Sequence, residues 1–127
     1  MDETARTRHV ASDYVDSLER RDWDRLSALL AEDVTYEMPQ TRERIRGRSA
    51  FLQFNREYPG DWHLGLRRVV ADAGYAALWL DVRVDAERQD ACIWLEISEQ
   101  GQIDRITDYW PEAYEPPQGR EHLTQRW

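Results

Sequence analysis

The sequence predicts an α+β domain in which a curved antiparallel sheet is packed on three N-terminal helices. Three observations predict it. Apolar residues before Pro59 recur at helical spacing, after it they alternate, and the alternating runs are joined by turns short enough for antiparallel neighbours. In chain order, Glu3 to Arg20 places Val10, Tyr14 and Leu18 on one helical face. Asp22 caps a second, short helix with Trp23, Leu26, Leu29 and Leu30 as its apolar residues. Val34 to Met38 is a strand stopped by Pro39. Ser49 to Tyr58 is a third helix with Ala50, Phe51 and Phe54 inward, ended by Pro59-Gly60. Trp62–Asp72, Tyr75–Asp85, Ala91–Ser98 and Ile103–Trp110 then form a meander, turning at Ala73-Gly74, Ala86–Asp90 and Glu99–Gln102. The proline-rich tail, residues 111–127, runs over the surface, so residues 1–127 make one domain.

Composition bounds the function. The chain has 25 acidic residues against 17 basic ones, all of the latter arginine, for a net charge of −8. A nucleic-acid partner needs a basic surface, so none is expected. Without lysine, Schiff-base chemistry is excluded. A lone Cys92 makes no internal disulfide and points to a reducing, cytoplasmic setting, where it serves as packing. Residues 1–10 show no apolar run of a signal peptide, and no stretch approaches the roughly 20 apolar residues of a membrane span. His9, His63 and His122 lie far apart without acidic neighbours at ligand spacing, so no metal is expected. No phosphate-binding glycine loop follows a strand, so no cofactor is expected either. Arg42, Arg44, Arg46 and Arg48 mark a solvated loop. Six Trp and six Tyr against two Phe are aromatics with polar handles, suited to a half-wet site.

The strand Tyr75–Asp85 has an aliphatic face (Ala76, Leu78, Leu80, Val82, Val84) and a mixed face (Tyr75, Ala77, Trp79, Asp81, Arg83, Asp85). Alternation alone puts the aliphatic face in the core and the mixed face in water. The alternative covers both faces, one with a subunit and one with a pocket.

Tyr14, the segment LLAEDVTYEMP (29–39), RGRSAFLQF (46–54) and GQIDRITDYWPEAYE (101–115) resemble the nuclear transport factor 2-like superfamily, in particular its SnoaL-like and ketosteroid isomerase-like branch. The resemblance spans nearly the whole chain and implies a cone-shaped fold enclosing a small-molecule pocket. Fold alone does not select among its isomerases, cyclases, dehydratases, epoxide hydrolases and non-catalytic binders. Tyr14 matches the oxyanion-hole tyrosine of the steroid isomerases. Their general base falls at Met38 and their second oxyanion donor at Ile93, so a true ketosteroid isomerase is not expected. The resemblance implies a pocket lined by Trp79, Asp81 and Arg83 on one strand and by Ile106, Asp108 and Trp110 on another, with Tyr36, Met38 and Ile93 nearby. The aliphatic stripe would then lie on the outer sheet face, covered by a homodimer.

Limonene epoxide hydrolases, a second branch, combine two aspartates with an arginine. Asp81 and Asp108 match the aspartates, whereas the arginine position holds Trp79 and Arg83 lies on the other side of Asp81. The His of SnoaL-type cyclases falls at Trp94. The expected catalytic set is therefore Asp81, Asp108, Tyr14 and Arg83, with one carboxyl kept protonated and the other ionised beside Arg83. Such a set suits cofactor-independent acid–base isomerisation, cyclisation or dehydration of a small, mostly apolar molecule. The alternatives are an epoxide hydrolase and a non-catalytic binding or assembly module. Asp81–Arg83 as a structural ion pair stays open beside these.

Overall fold

The computed structural model describes residues 2–127. Its elements are α1 (Glu3–Glu19), α2 (Trp23–Leu29), β1 (Leu30–Met38), β2 (Glu43–Arg46), α3 (Arg48–Arg56), β3 (Trp62–Asp72), β4 (Tyr75–Val84), β5 (Glu87–Ile97) and β6 (Ile103–Tyr109). Local chemistry starts each helix. The Asp2 carboxylate accepts from the Ala5 N–H at 2.7 Å and the Asp22 carboxylate from the Arg25 N–H at 3.2 Å, satisfying donors that a helix N-terminus leaves free. Gly47, at φ +96°, precedes α3 in a conformation that costs a β-carbon-bearing residue strain.

The sheet order is β2-β1-β6-β5-β4-β3. The three helices and the six-stranded, curved, unclosed sheet bear out the predicted α+β class. Two details differ from the sequence reading. The sheet is mixed, because β1 pairs with β6 in parallel. Its edge strand β2 occupies the stretch read as a solvated loop. Glu43 to Arg46 shows no apolar alternation beyond Ile45, and it becomes a strand by pairing with Thr35 to Met38. In addition, β5 begins at Glu87, so the turn before it is only Asp85-Ala86, with Asp85 at φ 54°. The charged run Glu87 to Asp90 hid this extension. Its strand pairing is helped by an ion pair from Arg88 to Asp81.

The core lies between the helices and the inner sheet face. Ala11, Tyr14 and Leu18 of α1 and Phe51 of α3 are buried with Leu78 and Leu80 of β4, Leu95 of β5, and Ile103 and Ile106 of β6. Each buried Leu, Ile or Phe among them contributes about 1.5–3 kcal/mol by leaving water. Register shifts at Leu66/Arg68 in β3 and at Glu96/Ile97 in β5 mark the irregularities that bend strands. The stretch 111–127 forms no helix or strand. Its Tyr114, Leu123 and Trp127 side chains stand exposed. No described helix is long and apolar enough to cross a membrane.

Which way β4 faces decides the site. Leu78 and Leu80 are 1% and 0% exposed, whereas Trp79 is 48% exposed. The aliphatic stripe therefore faces inward, as plain alternation requires, and the orientation implied by the resemblance is corrected. Burying Ala76, Leu78 and Leu80 and half-burying Val82 and Val84 on the inner face outweighs burying Asp81 and Arg83, whose charges would lose water.

Candidate functional site

A cavity of about 310 Å³ opens between the inner sheet face and the helices. Its aliphatic wall is built by Leu64, Leu80, Val82, Val84 and Ile93. Aromatic side chains close the other sides: Tyr14 from α1, Tyr36 from β1, Phe54 and Tyr58 from and just after α3, Trp62 and Trp110. The rings brace each other. Tyr36 packs on Phe51 with centroids 4.9 Å apart and on Phe54 at 5.9 Å, and Phe54 meets Tyr58 edge-on at 5.7 Å.

Asp108 is the polar centre of this wall. In β6 it stands opposite Ile93 of β5, and the strand period carries Ile106, Asp108 and Trp110 to the inner face. The Tyr36 hydroxyl donates to Asp108 Oδ2. The other oxygen, Oδ1, is buried without a hydrogen-bond partner among the described residues. Burial pushes the Asp108 carboxyl up to about 6 from 3.8, and the Tyr36 hydrogen bond opposes that rise. Burial, and secondarily the Asp108 charge, push both Tyr14 and Tyr36 well above the ordinary phenol range, so both remain protonated donors at neutral pH. The arrangement is one carboxyl able to gain or lose a proton near neutrality, flanked by two hydroxyl donors, in an apolar chamber.

The residues expected from the sequence divide sharply. Tyr14, Tyr36, Met38, Ile93, Asp108 and Trp110 all line the cavity. Ile106 is on the same sheet face but fully buried in the core beneath it, opposite Leu95. Trp79, Asp81 and Arg83 are on the opposite face of the sheet and touch the cavity nowhere. Asp81 there pairs with Arg88 at 2.7 Å and lies 3.8 Å from Arg67, and the Arg88 hydrogen bond holds its carboxyl below the usual carboxylate range. The Trp79 indole donates to Asp90 at 3.1 Å. An Asp81–Asp108 dyad is thereby excluded, since the sheet separates the two carboxyls. The structural ion pair weighed for Asp81 exists, with Arg88 as partner in place of Arg83.

Sequence reasoning missed Phe54 and Tyr58 as a pair, Trp62, Gln89 and the aliphatic wall. The four-residue spacing of Phe54 and Tyr58 was a usable signal, as was the alternation of β4 taken at face value. Among the described residues, no group of three or more His, Cys, Asp or Glu could hold a metal ion. Cys92 is a free thiol.

The SnoaL-like domain profile matches residues 11–106. The chain belongs to the SnoaL-like family. The crystal structure of a provisionally assigned ketosteroid isomerase from Kribbella flavida DSM 17836 is 50% identical, covers 98% of this chain and 92% of its own, and superposes with a TM-score of 0.95. An LEH-like epoxide hydrolase from M. tuberculosis is 22% identical over 87% of this chain and 86% of its own, with a TM-score of 0.73, a likeness of fold. A provisionally assigned polyketide cyclase from Xanthomonas campestris pv. campestris is 25% identical over 87% of this chain and 93% of its own, with a TM-score of 0.69. A comparison with functionally curated proteins found no match.

Proposed function

We propose that this SnoaL-like protein binds a small, mostly apolar organic molecule in the cavity and exchanges a proton with it through Asp108, as a cofactor-independent isomerase, cyclase or dehydratase. The observation that carries this reading is a buried carboxyl, bonded to Tyr36 and pushed by burial up to about 6, in a mainly aromatic and aliphatic chamber. A general acid or base of this kind is worth about 10² to 10⁴ in rate. Tyr14, neutral and facing the same space, serves as hydrogen-bond donor to an oxygen that gains charge. Met38 and Ile93 occupy the positions matched to the other ketosteroid isomerase residues and supply apolar contact, which argues against that reaction. The epoxide hydrolase reading loses its second aspartate and its arginine to the outer sheet face and keeps only Asp108.

The test is a panel of enolisable ketones, allylic alcohols and epoxides offered to wild type, Asp108→Asn and Tyr14→Phe. Turnover of one class, lost in Asp108→Asn, supports the reading and names the reaction. Saturable binding without turnover by any of the three proteins supports the non-catalytic module instead. We also propose a homodimer through the outer sheet face, where Trp79 and Trp94 are 48% and 53% exposed beside the Arg67–Asp81–Arg88 ion pairs. Sedimentation as a monomer at micromolar concentration would refute it.

A further inference from the structure

The charge of the cavity restricts what it can hold. Its ionisable acids are Asp108 and Glu43, and no arginine or histidine lines it, in a chain with 17 arginines. Arg21 comes close, but it stacks on the Trp62 ring at 3.3 Å and donates to the Trp62 carbonyl without lining the cavity. A carboxylate or phosphate ligand would therefore meet two like charges and no counter-ion. A cation would meet the opposite. Asp108 lies in the wall with Oδ1 unpartnered, six aromatic side chains surround the space, and Glu43 stands exposed on β2. Aromatic faces attract cations most strongly where water is excluded, and a buried carboxylate short of partners gains from a nearby positive charge.

We propose that the ligand of this cavity is an organic cation, a protonated or quaternary amine carrying apolar groups, seated among the aromatic faces with Asp108 as its counter-ion. The proposal rests on the reading of the cavity as the ligand site and adds the charge class of what enters. The groups facing Asp108 are Tyr36 from β1 and Tyr14 from α1, both neutral near pH 7, so the Asp108 carboxylate stands as the buried charge available to the ligand. Glu43 adds the same sign on β2 and favours cation entry.

Three probes of one shape test it: benzyltrimethylammonium, its carbon isostere neopentylbenzene, and the anion 2,2-dimethyl-3-phenylpropanoate. Binding is read at pH 8 from tryptophan fluorescence, since Trp62 and Trp110 line the cavity, and checked by calorimetry. The expected result is that the ammonium binds about tenfold or more tighter than the isostere, with the anion weakest. Asp108→Asn should remove most of that preference and leave the isostere unchanged. If that variant does not fold, wild type at pH 5 substitutes for it, because the protonated carboxyl gives up its charge there. The isostere or the anion binding as tightly as the ammonium overturns the charge class while the cavity reading stands. An ammonium preference that survives both the variant and pH 5 overturns the role of Asp108. Absence of saturable binding by all three overturns the cavity reading and this proposal together.

Discussion

Replacing Asp108 by Asn should make the protein more stable at neutral pH. A carboxyl whose pKa stands at about 6 in the fold and at 3.8 in the unfolded chain costs about 3 kcal/mol when it is ionised in both states. The sign follows from proton binding. Between 3.8 and about 6 the folded state holds the Asp108 proton and the unfolded chain does not, so the contribution of Asp108 to wild-type stability falls as pH rises through that window and is level above it. Asparagine has nearly the same shape, carries no charge, and its carbonyl can still accept the Tyr36 hydroxyl. The variant should therefore match wild type at pH 3.5 and exceed it by about 1–3 kcal/mol at pH 7.5, the upper figure being the full ionisation cost. At this chain length that raises Tm by about 3–10 °C. Urea denaturation followed by circular dichroism at the two pH values measures it. A variant less stable than wild type at pH 7.5, or one offset equally at both, would refute the reasoning. A stabilising change that abolishes binding or turnover is the pattern expected of a strained functional site.

Other outcomes follow from the same geometry. Tyr36→Phe removes the hydrogen bond that holds the Asp108 carboxyl down, so its pKa should rise above about 6, visible as a shifted pH profile of ligand binding. The same change should cost about 1–3 kcal/mol for the lost partner of a buried oxygen. Asp81→Asn, which weakens the ion pairs to Arg88 and Arg67, and Arg83→Gln, a change at an exposed side chain, should leave cavity binding and any turnover untouched, and each should alter stability by less than about 1 kcal/mol. A loss of binding in either would reinstate the outer face as part of the site. Val82→Trp projects an indole from the aliphatic wall into the cavity. It should abolish fluorescence-detected binding of benzyltrimethylammonium while costing about 1–3 kcal/mol through overpacking, and retained affinity would place the ligand elsewhere.

Much of the fold was legible because its signals are local. The four-residue spacing of Val10, Tyr14 and Leu18 and the alternation of Trp62–Asp72 and Tyr75–Asp85 report burial directly, and the elements appear where those periods stand. The strand β2 and the first residues of β5 were not legible, since Glu43–Arg46 and Glu87–Asp90 owe their extended form to neighbours distant in sequence. On β6, Asp108 and Trp110 line the cavity, whereas Ile106, expected beside them, lies in the core beneath it. The β4 half was inverted. A strand flipped by one residue exchanges all its side chains between faces, and a motif matched by two-residue spacing carries no information about which face that is. For β4 the aliphatic alternation carried that information, and Leu80, Val82 and Val84 line the cavity where Trp79, Asp81 and Arg83 had been placed. What no pattern in the sequence could supply was the Tyr36–Asp108 contact, which joins β1 to β6 across 72 positions of chain.

The central claim is that one buried carboxyl in an aromatic chamber exchanges protons near neutral pH. Carbon-13 NMR titration of the Asp108 carboxyl, assigned by its disappearance in Asp108→Asn, tests this most directly. The account predicts a midpoint of about 6, lowered when benzyltrimethylammonium binds beside the carboxylate. A midpoint at the ordinary 3.8, unmoved by any ligand of the cavity, would contradict it.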